Sequence, residues 1–383
     1  MPYKCNTFVR RLPSAARVPI FTNDQLEFHM STTRTLLRSA LVIAAAGAAA
    51  NSYAQDESTT IGGRLFIDLT DVTLKNDDVK QPSDGYGVDV KRGYLIVQHN
   101  FDKTWAANLT TDFNYVSNDG ETQLFVKKAY VQGKVSDALI GRLGAADTPW
   151  IPYVEDLYGY RYVEQVITDR LKFGTSSDWG LNANGKTMNS RVNYSVSLVN
   201  GGGYKNPTRS KGMDEEGRIG FMAFDGFTIT LGFYNGKLGK DIEGSATPAV
   251  HTASREDAMV TYVKKSVRVG LEYFSADNWN QVTTAAKDKA DGYSVWGSFD
   301  FSPKYGIFAR ADNAKLSKTL NPALEDKYYN AGFAIHARKN VDFSLVYKHE
   351  DMEHGSWNTA NGVIGGKNTG KYDEFGIWCL VNF

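Results

Sequence analysis

Between Thr148 and Arg170 the rings of Trp150, Tyr153, Tyr158, Tyr160 and Tyr162 are interspersed with Glu155, Asp156, Arg161, Glu164, Asp169 and Arg170. Rings can stack on a solute or limit its width, and carboxylates beside guanidiniums can sort solutes by charge. Two unit charges about 4 Å apart in a partly dry gap interact by on the order of 4 kcal/mol at an effective dielectric of 20. Such a mixture is unusual for a loop dangling in water, although a loop packed on its neighbours would use the same residues. A second set of charges, Arg64, Arg92, Lys128, Arg142 and Arg191, stands at the polar positions of alternating apolar and polar runs.

Group-transfer chemistry finds no support. The histidines beyond residue 54 are His99, His251, His336, His349 and His354, and none lies in a Gly-x-Ser-x-Gly or His-Glu-x-x-His context. His349, Glu350, Asp351, Glu353 and His354 could hold a divalent cation, but a solvated polar loop explains them more simply. Gly201-Gly202-Gly203 and Gly365-Gly366 have no helix after them and read as loop flexibility, not as phosphate cradles. No enzyme, cofactor or metal is expected.

The elements that must carry these residues alternate with period 2. Trp105, Ala107, Leu109, Thr111, Phe113 and Tyr115 form one face of a segment whose other face is Ala106, Asn108, Thr110, Asp112 and Asn114. Sixteen such segments run through the chain, near 60–71, 89–101, 104–116, 122–135, 138–147, 171–185, 188–200, 214–224, 227–237, 255–264, 266–277, 291–301, 305–313, 327–337, 340–349 and 372–383. The last one places Phe375, Ile377, Cys379, Val381 and Phe383 on one face.

Seven tight connections, at 102–103, 136–137, 186–187, 225–226, 264–265, 302–304 and 338–339, alternate with eight that are mostly long. Short turns at one rim and long loops at the other predict an all-β, 16-stranded antiparallel transmembrane β-barrel with short periplasmic turns and long extracellular loops. A cylinder of that size is too wide to fill with wall side chains, so a water channel is expected.

If the apolar alternants face lipid, Arg64, Arg92, Lys128, Arg142, Arg191, Arg218, Arg268, Arg310, Arg338 and Lys348 point inward. Asp68, Asp112, Glu272, Asp300, Asp312 and Asp342 do the same. The excess of positive charge should attract anions, unless the arginines simply pair with inward carboxylates. Arg338 is close enough to a turn to be rim-exposed, and Lys127 beside Lys128 blurs the parity there.

The Phe-ended last strand, and Gly141-Arg142-Leu143-Gly144-Ala145-Ala146-Asp147-Thr148-Pro149-Trp150 leading into the third long loop, resemble Gram-negative porins. They are most similar to the phosphate-selective porin O and P family. That resemblance implies a third loop, 148–170, folded into the barrel as a constriction, and a homotrimer surrounded by outer-membrane lipid and lipopolysaccharide. Here the loop has four carboxylates against two arginines, a departure from the dense arginine ladders and lysine clusters of the phosphate-specific relatives. Small anions such as phosphate, or sugars stacking on the loop rings, are the expected permeants; a non-conducting adhesin or enzyme barrel is the alternative.

Met30 opens a basic stretch followed by the apolar run Ser39–Ala50 and Ser52-Tyr53-Ala54, the form of a cleaved signal peptide over 30–54. Residues 1–29 fit neither fold nor signal; they read as an upstream extension before a true start at Met30, or as part of an unusually long signal. Removing 1–54 takes six basic and two acidic residues from a chain with 43 of each. The remaining chain, 55–383, is mildly acidic, which argues against a nucleic-acid partner. Export to the outer membrane of a Gram-negative bacterium is expected.

Overall fold

A computed structural model of the protein describes residues 57–116 and 121–383. The expected upstream extension and signal peptide lie outside these residues. Sixteen strands succeed one another: β1 (Ser58–Asn76), β2 (Gly85–Asn100), β3 (Trp105–Val116), β4 (Glu121–Ser136), β5 (Leu139–Asp147), β6 (Ser177–Thr187), β7 (Val192–Val199), β8 (Asp214–Phe224), β9 (Phe227–Gly236), β10 (Ala253–Lys264), β11 (Val267–Asp277), β12 (Lys289–Asp300), β13 (Tyr305–Lys315), β14 (Glu325–Arg338), β15 (Val341–Glu353) and β16 (Thr369–Asn382). Each is antiparallel to its neighbours in sequence, and β1 also pairs with β16, from Arg64 opposite Asn382 to Asn76 opposite Gly370. The sheet is therefore a closed barrel without a free edge, as a strand structure in lipid must be. Gly63 and Phe383 hold the seam, each backbone N–H donating to the other's carbonyl at 2.8 and 3.0 Å. A side chain at position 63 would run into the Phe383 ring.

Period-2 alternation sends apolar residues outward. Ile229, Leu231, Val269, Leu271, Val295, Ile307, Leu345 and Ile377 form an exposed aliphatic band. Phe224, Tyr262, Phe301 and Tyr305 lie toward the turns, and Tyr273, Tyr293, Tyr329 and Tyr347 toward the loops. An aliphatic belt between two aromatic girdles is the outer surface of a barrel matched to a bilayer. In water the same belt would be an aggregation surface.

Two departures from the sequence pattern affect the site. Strand β6 begins at Ser177 instead of 171, because Leu171 and Phe173 are buried in an apolar cluster inside the barrel. The turn expected at 186–187 lies at 188–191, where Met188, Asn189 and Ser190 all have left-handed backbone, φ 52°, 54° and 66°. That shift corrects the reading of Arg191. It belongs to the turn and is exposed, its N–H bonded to the Met188 carbonyl at 3.1 Å, and is no part of the lumen wall.

The lumen is also not simply open. Two apolar clusters occupy it, one around Trp150, Ile151, Val154, Tyr158 and Tyr160, the other around Ile167, Leu171 and Phe173. In both, third-loop residues pack against residues of the barrel wall and other connections, such as Met259, Trp296 and Phe308 in the first and Phe274, Trp279 and Met352 in the second.

Candidate functional site

The third loop runs from Thr148 to Ser176 and starts and ends at one point. Thr148 donates its hydroxyl to the Thr175 carbonyl (2.6 Å) and its N–H to that of Ser176 (3.2 Å). Pro152 near its N-terminus favours the helix α1 (Ile151–Tyr158), and Gly159 at φ 83° ends it by donating to the Glu155 carbonyl. Arg268 on β11 donates to the carbonyls of Asp156 and Leu157, both at 3.0 Å, placing a cation at the negative end of the helix. A single turn, α2 (Ile167–Arg170), follows.

From this base the loop is fastened to one side of the barrel. Trp150 donates its indole N–H to Glu272 on β11 (2.9 Å), Tyr160 stacks on Phe308 of β13 (3.9 Å between centroids), and the Tyr162 hydroxyl meets that of Ser344 on β15 (2.6 Å). Arg170, fully buried, is held by Asp312 (3.1 Å), Asp326 (2.5 Å) and Glu350 (2.6 Å). Glu164 faces Lys348 at 3.6 Å, and Lys348 in turn pairs with Glu374 at 2.9 Å. Burial would raise the Glu164 carboxyl, but Lys348, Arg170 and Arg310 outweigh it and hold it below the ordinary range.

The consequence is an asymmetric lumen. On β9–β16 inward residues such as Met259, Glu272, Trp296, Arg310, Ser344 and Trp378 are buried beneath the loop. On β2–β5 the inward Arg92, Tyr94, Gln98, Asn108, Lys128, Tyr130, Gln132 and Arg142 remain half-exposed. That side is what the loop leaves uncovered, and it is the candidate passage.

Charges converge on the passage. Lys128 pairs with Asp147 (2.6 Å) and Arg92 with the buried Asp112 (3.4 Å). Arg142 donates to Gln132 (2.9 Å) and lies 5.1 Å from the Tyr130 ring centroid, and Arg64 donates to Asn382 (2.9 Å). Asp156 on α1 faces this wall. Burial pushes its carboxyl up and Asp147 adds to the effect, while Arg64, Lys128 and Arg268 oppose it. Glu155 points elsewhere, into a pair with Arg161, which also reaches Asp169 at 3.7 Å. Tyr153 lies under Arg218, 3.6 Å from the guanidinium.

The expected residues thus separate into two groups. Arg64, Arg92, Lys128, Arg142 and Asp156 come together around the passage, with Tyr153 half-exposed near it. Trp150, Tyr160 and Glu164 are buried and serve to pack the loop, as are Tyr158 and Tyr162. Among the described residues of 148–170, then, the rings expected to stack on solutes are mostly committed to the interior. Arg310 and Lys348, counted in the positive wall, are buried against Asp312, Glu164 and Glu374 and contribute no free charge to the passage.

Sequence alternation missed two lysines. In β2 Phe66 faces Arg92 while Ile67 faces Val90, so Lys91 is an inserted bulge residue; it reaches Asp68 at 3.4 Å and Asp89 at 3.2 Å. In β4 Thr110 faces Lys128 while Thr111 faces Val126, so Lys127 is inserted likewise and donates to the Tyr94 hydroxyl at 3.0 Å. Each bulge puts an extra ammonium group beside a basic residue that alternation already directs inward. The adjacent pairs Lys91-Arg92 and Lys127-Lys128 were the only available signal. The possible cation cluster at 349–354 is split by alternation instead: Glu350 turns in to Arg170, while His349 bonds Asp351 and Asp373, each at 2.8 Å.

No protein-family model matches the sequence, and no curated protein matches it. Solved structures do. The anion-selective porin from Comamonas acidovorans superposes with a TM-score of 0.62 at 10% identity, over 86% of this chain and 100% of its own. The outer membrane channel DcaP of Acinetobacter baumannii gives 0.60 at 11% identity, over 87% and 100%. OmpT of Vibrio cholerae, an outer membrane protein solved in a trimer form, gives 0.58 at 13% identity, over 86% and 100%. The fold is that of an outer-membrane porin. Identities this low carry the architecture, and within that porin fold the chemistry of the passage must be argued from this chain's own residues.

Proposed function

We propose that the protein is a passive diffusion channel of a Gram-negative outer membrane, carrying small hydrophilic solutes with a preference for anions. One observation carries the reading: the third loop is fastened to β9–β16 and leaves uncovered the wall where Arg64 and Arg142 have no described carboxylate partner, beside Arg92 and Lys128, which are paired with Asp112 and Asp147. A cationic wall bounded by low-dielectric protein raises the local concentration and entry rate of anions. The name of the anion-selective porin among similar structures points the same way, and the trimer form of OmpT supports a homotrimer. The resemblance to the phosphate-selective porin O and P family makes phosphate one anion to test. Residues 30–54 would direct export and be cleaved.

The test is conductance of the detergent-extracted protein in planar bilayers under a KCl gradient. Stepwise channels with a chloride-favouring reversal potential are expected. A potassium-favouring potential would overturn the anion preference, and correctly folded protein without channels would overturn the porin reading in favour of an adhesin or enzyme.

A further inference from the structure

Beyond the passage, a cavity of about 520 Å³ opens where the end of the third loop meets the connection between β7 and β8. Lys127 from the β4 bulge, Lys172 from the third loop and Lys205 from the β7–β8 connection all line it, with Arg92 alongside. None of these three lysines has a described carboxylate within salt-bridge distance. Lys127 is held by the Tyr94 hydroxyl, and Lys205 lies 4.4 Å from the Phe125 ring centroid. The cavity's carboxylates are already engaged. Asp169 bonds Gln165 (2.7 Å), Glu216 bonds Arg255 (2.9 Å), and Asp178 accepts from the N–H groups of Trp179, Gly201 and Gly203.

The placement of Lys172 costs backbone strain. It has a left-handed φ of 64°, unfavourable for a residue with a Cβ, and its carbonyl is fixed by the Trp279 indole at 2.9 Å. Gly201 and Gly203, at φ 85° and 75°, let the opposite connection wrap around the Asp178 carboxylate. Burial pushes the Lys172 ammonium down, and it pushes Lys205 down with Arg92, Lys172 and Lys127 adding to the effect. Both loops therefore hold cations close to one another, and among the described carboxylates lining the cavity Asp178, bonded only to backbone N–H groups, is the one without a cationic partner.

We propose that this cavity binds a small organic dianion, a dicarboxylate with a short hydrocarbon body, between Lys127, Lys172 and Lys205. The proposal rests on the channel reading and makes it more specific: one permeant class would pause at a saturable site before the passage. Several uncompensated ammonium groups favour two negative ends over one. The volume is far more than one inorganic oxyanion fills. Val199, Leu238 and Trp279 also line it and offer apolar contact to a hydrocarbon body.

The experiment is block of the chloride current by succinate added from the loop side, with inorganic phosphate and acetate as comparisons. Saturable block by succinate, weaker with phosphate and acetate, is expected. The half-blocking concentration should rise at least about tenfold in Lys172→Ala/Lys205→Ala, the loss of one charge-assisted contact or more, and stay unchanged in Lys103→Ala at the opposite rim. Equal block by phosphate would overturn the organic dianion, and unchanged block in the double variant would overturn the location. Chloride-selective channels with no succinate block would overturn the site alone, whereas the absence of channels would overturn both readings.

Discussion

The Arg170 guanidinium donates to the Glu350 carboxylate at 2.6 Å across a sequence separation of 180 residues, both side chains fully buried. With Asp312 and Asp326 on the same guanidinium, it fastens the end of the third loop to three wall carboxylates. Removing one partner from such a cluster leaves uncompensated buried charge and costs about 3–5 kcal/mol. The barrel's backbone ladder does not depend on this contact. Arg170→Met should therefore keep the barrel but release the loop: proteolysis or hydrogen exchange over 160–176 should rise, and open-channel noise with it. A variant with wild-type protection and quiet channels would show that the apolar clusters alone hold the loop.

The pH dependence should be led by Asp156. Its carboxyl is raised by burial, so it takes up a proton at a higher pH than ordinary carboxylates, and the passage loses a negative charge while its arginines and lysines stay charged. Chloride preference should increase as pH falls, with the change setting in above the ordinary aspartate value near 3.9. Stability follows the same sign: the charged form is disfavoured in the fold, so protonation removes a destabilising term as pH falls through the raised pKa. Glu164, held low by its cations, changes last. Asp156→Asn should show the enhanced chloride preference already at about pH 7, with a flatter pH response in reversal potential.

Strand number, strand order and the distinction between turns and loops were legible because lipid enforces alternation, which a sequence displays directly. Arg64, Arg92 and Arg142 were assigned inward by alternation alone; in the fold they bond the polar Asn382, Asp112 and Gln132 on neighbouring strands. Lys127 and Lys91 were not, because a bulge adds one residue to one strand and leaves no mark in a two-residue period. Arg191 was misplaced because its polar neighbours suit a strand as well as a turn. The fate of the loop rings was equally hidden. Trp150 and Tyr160 can meet a solute or an apolar wall, and only their position against Glu272 and Phe308 decides which.

Cys379 gives a check on side-chain direction in the closing strand. It lies opposite Ile67 on β1 and Phe343 on β15, on the outward face shared by Ile377 and Phe375. A neutral apolar maleimide should label it in detergent or lipid, while a charged thiosulfonate entering through the lumen should react far more slowly. Rapid labelling by the charged reagent would mean that the register of β16 is inverted.

Neutralising the open wall should change selectivity more than stability. Arg142 is half-exposed and bonds the neutral Gln132, whereas Arg92 is half-exposed but offsets the buried Asp112, so the double variant should also lose some stability through Asp112. Arg310 carries the same formal charge but is buried beneath the loop and paired with Asp312 at 2.6 Å, so its charge is already balanced. In Arg92→Gln/Arg142→Gln the chloride-to-potassium permeability ratio should fall by at least about twofold at low salt, because cationic walls raise anion entry. The difference should shrink at about 1 M salt, where charges are screened within about 3 Å. Arg310→Gln should instead lower the denaturation temperature and shift the ratio little. If Arg310→Gln moved the reversal potential as far as the double variant, the passage would have to run on the β9–β16 side of the third loop.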